Sequence, residues 1–166
     1  MIVENQIVLN ENQESFINWA QGPLIPWLFD ETTSSEFKYF HHPLMLRNQD
    51  IISPYYDVCY SIFEQFCKDN NIKFNNVLRA SINNTYHHPQ KMNGIHTDHD
   101  GIEHSNFIMY LNTFDSGYTY LFNDNKELIH TIIPKKYKAV VFKSMPHAQG
   151  FCAPNQNRFT LIFTFT

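Results

Sequence analysis

The segment from Gly94 to His104, GIHTDHDGIEH, contains three histidines, two aspartates and one glutamate within eleven residues. Imidazole and carboxylate groups are common protein ligands of divalent transition metals. Residues two apart in an extended chain point to the same side, so the spacing His96-x-Asp98 predicts that both side chains project together. Because two ligands do not make a selective metal site, we expect a third from a later part of the chain.

His147 is the candidate for this third ligand. It follows the apolar run KAVVFKSMP and precedes the last apolar run of the chain. The stretch between Asp98 and His147 has room for about three or four short strands. Two histidines and one carboxylate leave three positions of an octahedral metal open, as in non-haem Fe(II) oxygenases. We predict that His96, Asp98 and His147 are the metal ligands and the catalytic residues.

An open iron site requires a co-substrate that supplies electrons, and the segment RFTLIFTFT offers a group that can bind one. In a strand, Arg158 and Thr160 share one face, whereas Phe159 and Leu161 lie on the other. A guanidinium holds a carboxylate through two parallel hydrogen bonds, and a neighbouring hydroxyl can add another. We therefore predict that Arg158 and Thr160 bind a carboxylate.

Other polar residues have both a functional and a structural interpretation. Tyr86 and Tyr110 are candidates for hydrogen bonds to the co-substrate, and they are equally explained as core tyrosines with hydroxyls at the rim. Without His147, the pair His96 and Asp98 would fit a solvated loop. The rest of the histidine-rich segment is expected to lie in an exposed loop near the entrance, where contact with substrate is the alternative: His99, Asp100, Glu103 and His104.

Six short segments must position these side chains. They are rich in β-branched and aromatic residues and are separated by Gly, Pro, Asn or Asp: VLRASINNTY, SNFIMYLNT, GYTYLF, ELIHTII, KAVVFKS and RFTLIFTFT. Strands at this spacing are typical of a sandwich or barrel, and the lack of intervening helical runs disfavours a parallel βαβ sheet. We predict a mainly β fold of the α+β class, with a jelly roll as its architecture.

The first part of the chain has a different pattern. VENQIVLN predicts a short strand, NENQESFINWAQG a short helix, and PLIPWLFDETTSSE a loop. Between Ile51 and Asn70, apolar residues recur at helical spacing, and Ser53 and Pro54 suit the helix start. We predict a single domain, 1–166, with a helical support region at 1–73 and a β core at 74–166.

Composition excludes several classes of protein. The chain has 166 residues, 43% of them hydrophobic, and a net charge of −4 with only 12 Lys and Arg, which gives no support to a nucleic-acid or membrane partner. Three cysteines without a CxxC pair disfavour a disulfide framework or a zinc knuckle and indicate reduced thiols. The start, MIVENQIVLNENQ, does not resemble a signal peptide, and no apolar run reaches membrane-spanning length. We expect a soluble, cytoplasmic protein.

The ordered set His96-x-Asp98, His147 and Arg158-x-Thr160 resembles that of the Fe(II)/2-oxoglutarate-dependent dioxygenases. RASINNTYHHPQKMNGIHTD is similar to the entry strand of the prolyl-4-hydroxylase-like branch. FIMYLNTFDSGYTYLF is similar to that branch's YLN, loop, glycine and threonine, with one glycine where the branch often has two. The likeness covers about residues 77–166. Before it, IPWLF loosely resembles small members that phages often encode, which would put the protein in the host cytoplasm.

This resemblance implies a double-stranded β-helix, a distorted jelly roll, with helices packed on it. It implies Fe(II) on His96, Asp98 and His147, and 2-oxoglutarate as co-substrate on Arg158 and Thr160. With O2, such an enzyme hydroxylates a substrate C–H and releases succinate and CO2. The branch favours a peptide or protein side chain, proline first, and a small-molecule substrate stays open. The aspartate favours hydroxylation, because related halogenases carry a small residue there.

Three alternatives remain open at the level of sequence. A cupin-like metal-binding protein or metal-dependent isomerase would use a similar jelly roll but would have no use for Arg158-x-Thr160. A non-catalytic β-sandwich used for binding would hold no iron. A nucleic-acid demethylase of the same fold would tend to carry a second arginine after Arg158, and none follows here.

Overall fold

The computed structural model describes residues 1–31, 37–47 and 49–166. Within these ranges the chain forms ten strands and two helices. In chain order they are β1 (Ile2–Gln6), α1 (Glu11–Ala20), β2 (Leu28–Glu31), β3 (Lys38–Met45), α2 (Tyr56–Asp69), β4 (Val77–Tyr86), β5 (Ser105–Tyr110), β6 (Thr119–Phe122), β7 (Leu128–Ile132), β8 (Lys138–Lys143), β9 (His147–Gln149) and β10 (Asn157–Phe165).

The strands form two antiparallel sheets. The larger has seven strands in the order β1-β8-β5-β10-β4-β3-β2, and the smaller has three in the order β7-β6-β9. An apolar cluster joins the two sheets, with Ile108 and Phe142 from the larger packed near Leu121 and Ile132 from the smaller. This mostly antiparallel architecture with two helices is a jelly-roll-like sandwich and confirms the predicted fold class at that level.

The helices cover one face of the larger sheet, because alternate residues of β10 are apolar. Phe163 and Phe165 are buried against α2, where the Phe63 ring stacks on Phe163 at 4.7 Å between centroids. In α2, the predicted three-and-four spacing buries Cys59, and the helix is confirmed with its start later than predicted. The Ser53 hydroxyl still accepts a hydrogen bond from the backbone just before the helix. The main core therefore lies between helices and sheet.

The helix α1 also forms as its sequence predicts. The Asn10 side chain accepts a hydrogen bond from the Gln13 backbone, and the Gln13 side chain accepts one from the Asn10 backbone, a reciprocal capping box. Gln13 then reaches Ser61 on α2. None of the helices formed by the described residues combines the length and apolar character that membrane crossing requires.

Several predictions of local structure are wrong. The predicted loop PLIPWLFDETTSSE contains strand β2, which pairs with β3, while residues 32–36 of that loop lie outside the described residues. The segment at His96 is not a strand: it makes one isolated bridge to His147. The short strand β9 was not predicted, because three residues carry too little periodicity to detect. Strands β1 to β3 of the first region hydrogen-bond into the same sheet as the later strands.

Candidate active site

His96, Asp98 and His147 converge at one end of the space between the sheets. One potential ligand atom from each lies within 4.8 Å of the others. The Nε2 atom of His147 is 3.3 Å from Oδ2 of Asp98. The convergence arises from the backbone, because His96 and His147 exchange both main-chain hydrogen bonds, at 3.0 and 2.9 Å. This bridge brings two histidines that are distant in sequence into one site.

The backbone also fixes the tautomer of each imidazole. Nδ1 of His96 lies 2.9 Å from the carbonyl of Gly94, and Nδ1 of His147 lies 3.1 Å from the carbonyl of Met145. A carbonyl oxygen only accepts, so each Nδ1 carries the hydrogen and donates it. The lone pair of each neutral ring is then on Nε2, facing the site, as expected of metal-binding histidines with a second hydrogen bond.

His96, Asp98 and His147 change one another's pKa values. Burial by itself would raise the pKa of Asp98, but the hydrogen bond and positive charge of His147 hold it well below its usual range. Burial and the nearby His147 lower the pKa of His96. Burial would also lower the pKa of His147, but the contact with Asp98 raises it. An ionised carboxylate beside two imidazoles is the donor set that suits Fe(II), so these residues fit the implied metal.

Arg158 lies at the other end of the same cavity with only 1% of its surface exposed. Its Nε donates to the Gly117 carbonyl at 3.2 Å, one terminal nitrogen donates to Gln149 at 2.9 Å, and the other donates to Thr119 at 3.1 Å. All these partners are uncharged. Among the described residues, no carboxylate lies within ion-pair distance of this guanidinium. A buried positive charge without a counter-ion is costly, so the site is suited to an anion.

The other residues predicted to bind the co-substrate fall in different places. Thr160 is fully buried beside Arg158, with its hydroxyl 3.4 Å from the guanidinium. Tyr110 packs its ring 5.4 Å from the guanidinium carbon, and its hydroxyl lies 2.8 Å from that of Thr119. Tyr86 is 37% exposed and packs near Phe40. Because the cavity-lining residues of β4 are the odd-numbered ones, strand phase turns Tyr86 to the opposite face.

Both ends open into one cavity of about 810 Å³. The strand β9 connects them, because it carries His147 at the metal end and Gln149, two residues on, at Arg158. The sequence analysis did not predict most of the polar residues that line the cavity between these ends. The alternating pattern of β4 could have indicated those that come from this strand. The missed residues include Arg47, Arg79, Asn83, Asn106, Thr119 and Gln149.

The histidine-rich segment is less exposed than predicted. His104 is 2% exposed, with Nδ1 2.8 Å from the Ile102 carbonyl. Nε2 of His99 lies 2.7 Å from the Thr164 hydroxyl, and burial together with Arg47 lowers the pKa of His99 to about 4. The expectation of solvated loop residues is wrong for these two. His99 and Asp100 line the cavity, and Glu103 is exposed as predicted.

The sequence does not show which apolar residues of each predicted strand form the cavity walls. Phe107, Met109, Leu111 and Phe163 belong to the core beneath the helices. Their neighbours in sequence face the cavity instead, with Ile108 and Ile162 in its lining. A shift of one residue moves every side chain of a strand to the other face, so a correct strand with an unknown orientation does not identify its walls.

Comparison with solved structures identifies the architecture. A 2OG-Fe(II) oxygenase family oxidoreductase from Burkholderia pseudomallei superposes with a TM-score of 0.76 at 13% identity, over 99% of this chain and 84% of that chain. The chain has the fold of these oxygenases. A Pseudomonas putida prolyl-4-hydroxylase gives 0.63 at 14% identity, over 99% of this chain and 91% of that chain.

The prolyl-4-hydroxylase-like branch recurs in a third structure, a prolyl hydroxylase from Trichoplax adhaerens in complex with a hypoxia inducible factor peptide fragment. It superposes with a TM-score of 0.67 at 10% identity, over 99% of this chain and 82% of that chain. The resemblance seen in the sequence is confirmed at the level of the fold. No protein-family model and no curated protein matches the chain by sequence.

Proposed function

We propose that the protein is an Fe(II)- and 2-oxoglutarate-dependent hydroxylase. In this proposal strands β4 to β10 form a double-stranded β-helix within one domain, and residues 1–73 support it. His96, Asp98 and His147 hold Fe(II), while Arg158 and Thr160 bind the far carboxylate of 2-oxoglutarate. When bound, Fe(II) together with 2-oxoglutarate and O2 supplies the oxidising chemistry for hydroxylating a substrate C–H, with release of succinate and CO2.

The observation that carries this proposal is a buried arginine with neutral partners in the same cavity as a two-histidine, one-carboxylate cluster. A cupin-like metal protein would need the cluster but has no reason to bury Arg158 without a counter-ion. His147 and Gln149 are two residues apart on β9, about 6–7 Å along a strand. This spacing matches a short dicarboxylate that reaches from the metal to the guanidinium.

The remaining residues have positioning roles. The carbonyls of Gly94 and Met145 hold Nδ1 of each histidine, so that Nε2 stays free for the metal that these residues would bind. Thr119 joins the Tyr110 hydroxyl to the guanidinium and so holds the fork in one orientation. Hydrogen bonds to protein groups already hold the Arg158 side chain in place. It therefore loses little conformational freedom when the carboxylate binds. Tyr110 acts beneath it as an aromatic support.

The substrate in this proposal is a peptide, a protein side chain or a small molecule. One of the structures with this fold is a prolyl hydroxylase bound to a peptide fragment, which supports proline as the first side chain to test. The cavity volume of about 810 Å³ is in the range of small-ligand sites and accommodates a co-substrate with part of a second molecule.

Calorimetric titration of 2-oxoglutarate into the protein, with and without Mn(II) as a redox-inactive metal, tests the proposal. We expect tight binding only with metal present, and succinate formation when Fe(II) and air replace Mn(II). Metal binding without any 2-oxoglutarate binding would favour the cupin-like alternative. If the protein bound neither the metal nor 2-oxoglutarate, the result would favour the non-catalytic β-sandwich. The Arg158→Gln variant serves as control, because it should retain the metal and lose 2-oxoglutarate.

A further inference from the structure

Two arginines that the proposed reaction does not use lie in the cavity beside His96, Asp98 and His147. Arg79 comes from the cavity face of β4, and Arg47 follows β3. Arg47 donates to the Asp98 backbone carbonyl at 2.8 Å and contacts Nδ1 of His99 at 2.9 Å. Arg79 is near enough to Asp98 for its charge to act on that carboxylate. Both arginines therefore lie near the proposed metal ligands, and neither is on β10.

Within the described part of the chain, Asp98 and Asp100 act on Arg47 through their charge only, and no carboxylate contacts either guanidinium. Nε of Arg79 is buried and has no hydrogen-bond partner there, although buried donors are nearly always paired. Neither Arg47 nor Arg79 forms an ion pair with a described carboxylate. Burial and, after it, the positive charge of Arg79 lower the pKa of Arg47, so the two guanidinium groups are close to each other. Two like charges held together around an unpaired donor are suited to an anion between them.

Charge accounting for the loaded cavity leads to the same conclusion. Fe(II) and Asp98 together with a dicarboxylate and Arg158 come to about zero charge. Among the described lining residues, Arg47 and Arg79 then remain against one acid, Asp100. This part of the lining is therefore positive in a chain whose net charge is −4. A concave positive site with low-dielectric walls concentrates anions and orients them as they enter.

We propose that Arg47 and Arg79 form a second anion subsite, which binds a carboxylate or phosphate group of the primary substrate beside the metal. This inference rests on the proposed function and deepens it, because it narrows the substrate class to acids. Arg79 is half-buried and would grip the oxyanion, whereas Arg47 is exposed at the mouth and would close over it. The substrate C–H that reacts would then lie near the acidic group.

The test uses the whole protein with Mn(II) and N-oxalylglycine bound, so that the proposed 2-oxoglutarate subsite is filled. The probes are N-acetylglycine, methyl phosphate and N-acetylglycinamide, the last being a neutral match for the first. Paramagnetic broadening of the probe methyl protons by Mn(II) detects weak binding and reports that it is near the metal. We expect broadening from at least one anion and none from the amide.

The variants Arg79→Gln and Arg47→Gln should each weaken anion binding at least about tenfold, since a charge-assisted hydrogen bond is lost. Arg79→Lys should recover part of the affinity because the charge remains. Lys68→Gln, at an exposed position of α2, removes the same charge outside the cavity lining and should leave anion binding unchanged. Circular dichroism confirms that each variant is folded.

The outcomes separate the two proposals. Carboxylate-selective broadening identifies an organic acid or a carboxyl-bearing peptide as substrate, and phosphate-selective broadening identifies a phosphate ester. Equal binding of the amide, or anion binding unaffected by either arginine variant, overturns the subsite. Failure to bind Mn(II) or N-oxalylglycine is measured first and counts against the proposed function alone. In that case, saturation-transfer spectra of the metal-free protein test whether Arg47 and Arg79 bind the anionic probes without the metal.

Discussion

The two faces of β10 differ in almost every property, although they alternate along one strand. The face toward the helices carries Phe163 and its aromatic neighbours in the main core. The face toward the smaller sheet carries Arg158 and Thr160, both buried, and Thr164, which contacts His99. The comparison shows that one strand supplies stability on one side and binding groups on the other. Variants on the two faces should therefore fail in different ways.

The largest effect is expected from Asp98→Ala. Loss of the only carboxylate in the cluster should reduce succinate formation at least about a thousandfold, because metal charge stabilisation contributes several kcal/mol. The fold should persist, since the variant removes a buried charge and leaves His147 neutral. Coupled succinate assays and thermal unfolding measure the two quantities. Glu103→Ala, an exposed acid in the same segment, is the control, and turnover in Asp98→Ala equal to that control would remove Asp98 from the site.

Phe163→Ala should produce the opposite pattern. Removing a fully buried ring that stacks on Phe63 should cost about 3–5 kcal/mol of unfolding free energy, which urea titration measures. The fraction that remains folded should still bind 2-oxoglutarate with unchanged affinity. Ile162→Ala, the next residue and on the cavity face, is the matched control and should cost less. If Ile162→Ala proved the more destabilising of the two, the division between faces would be wrong.

Arg158→Lys should raise the 2-oxoglutarate concentration needed for half-maximal turnover by about 10–100-fold. A lysine supplies a point charge in place of a planar fork and loses hydrogen bonds worth about 1.5–3 kcal/mol each. Metal binding should be unchanged, because the arginine lies at the other end of the cavity. Initial rates at varied 2-oxoglutarate measure the effect, and an unaltered requirement would exclude Arg158 from the co-substrate site.

The smallest effect is a pH dependence at the metal end. The carboxylate of Asp98 raises the pKa of His147, so the proton competes with the metal for Nε2. Mn(II) affinity should fall as pH drops below that pKa, by up to about tenfold per pH unit for one proton, and should level off above it. The folding stability of the metal-free protein should depend on pH in the opposite direction. A raised histidine pKa stabilises the fold at low pH, and this stabilisation is lost as the pH rises through that pKa. Calorimetry in buffers of different ionisation enthalpy would count the proton, and a count of zero contradicts the assignment.

Much of the fold was predictable because a strand with one buried face shows an alternating pattern of apolar and polar residues. The pattern of VLRASINNTY predicted β4, and the spacing of α2 predicted the helix that covers the sheet. The N-terminal strands β2 and β3 were not predicted. Strand β2 has only four residues, and β3 contains a proline and two histidines. They are strands because β3 hydrogen-bonds to β4 and β2 to β3, which is a tertiary effect on a weak local preference.

The sequence by itself determined which residue types are available for chemistry: the pair His96 and Asp98, the later His147, and Arg158 in phase with Thr160. Tertiary structure decided which side chains share a cavity. It turned Tyr86 away through strand phase, brought in Gln149 through a three-residue strand, and added Arg47 and Arg79 from the first half of the chain. The reason is that period and composition are local properties, whereas convergence depends on register and on a bridge such as that between His96 and His147, which no short window of sequence contains.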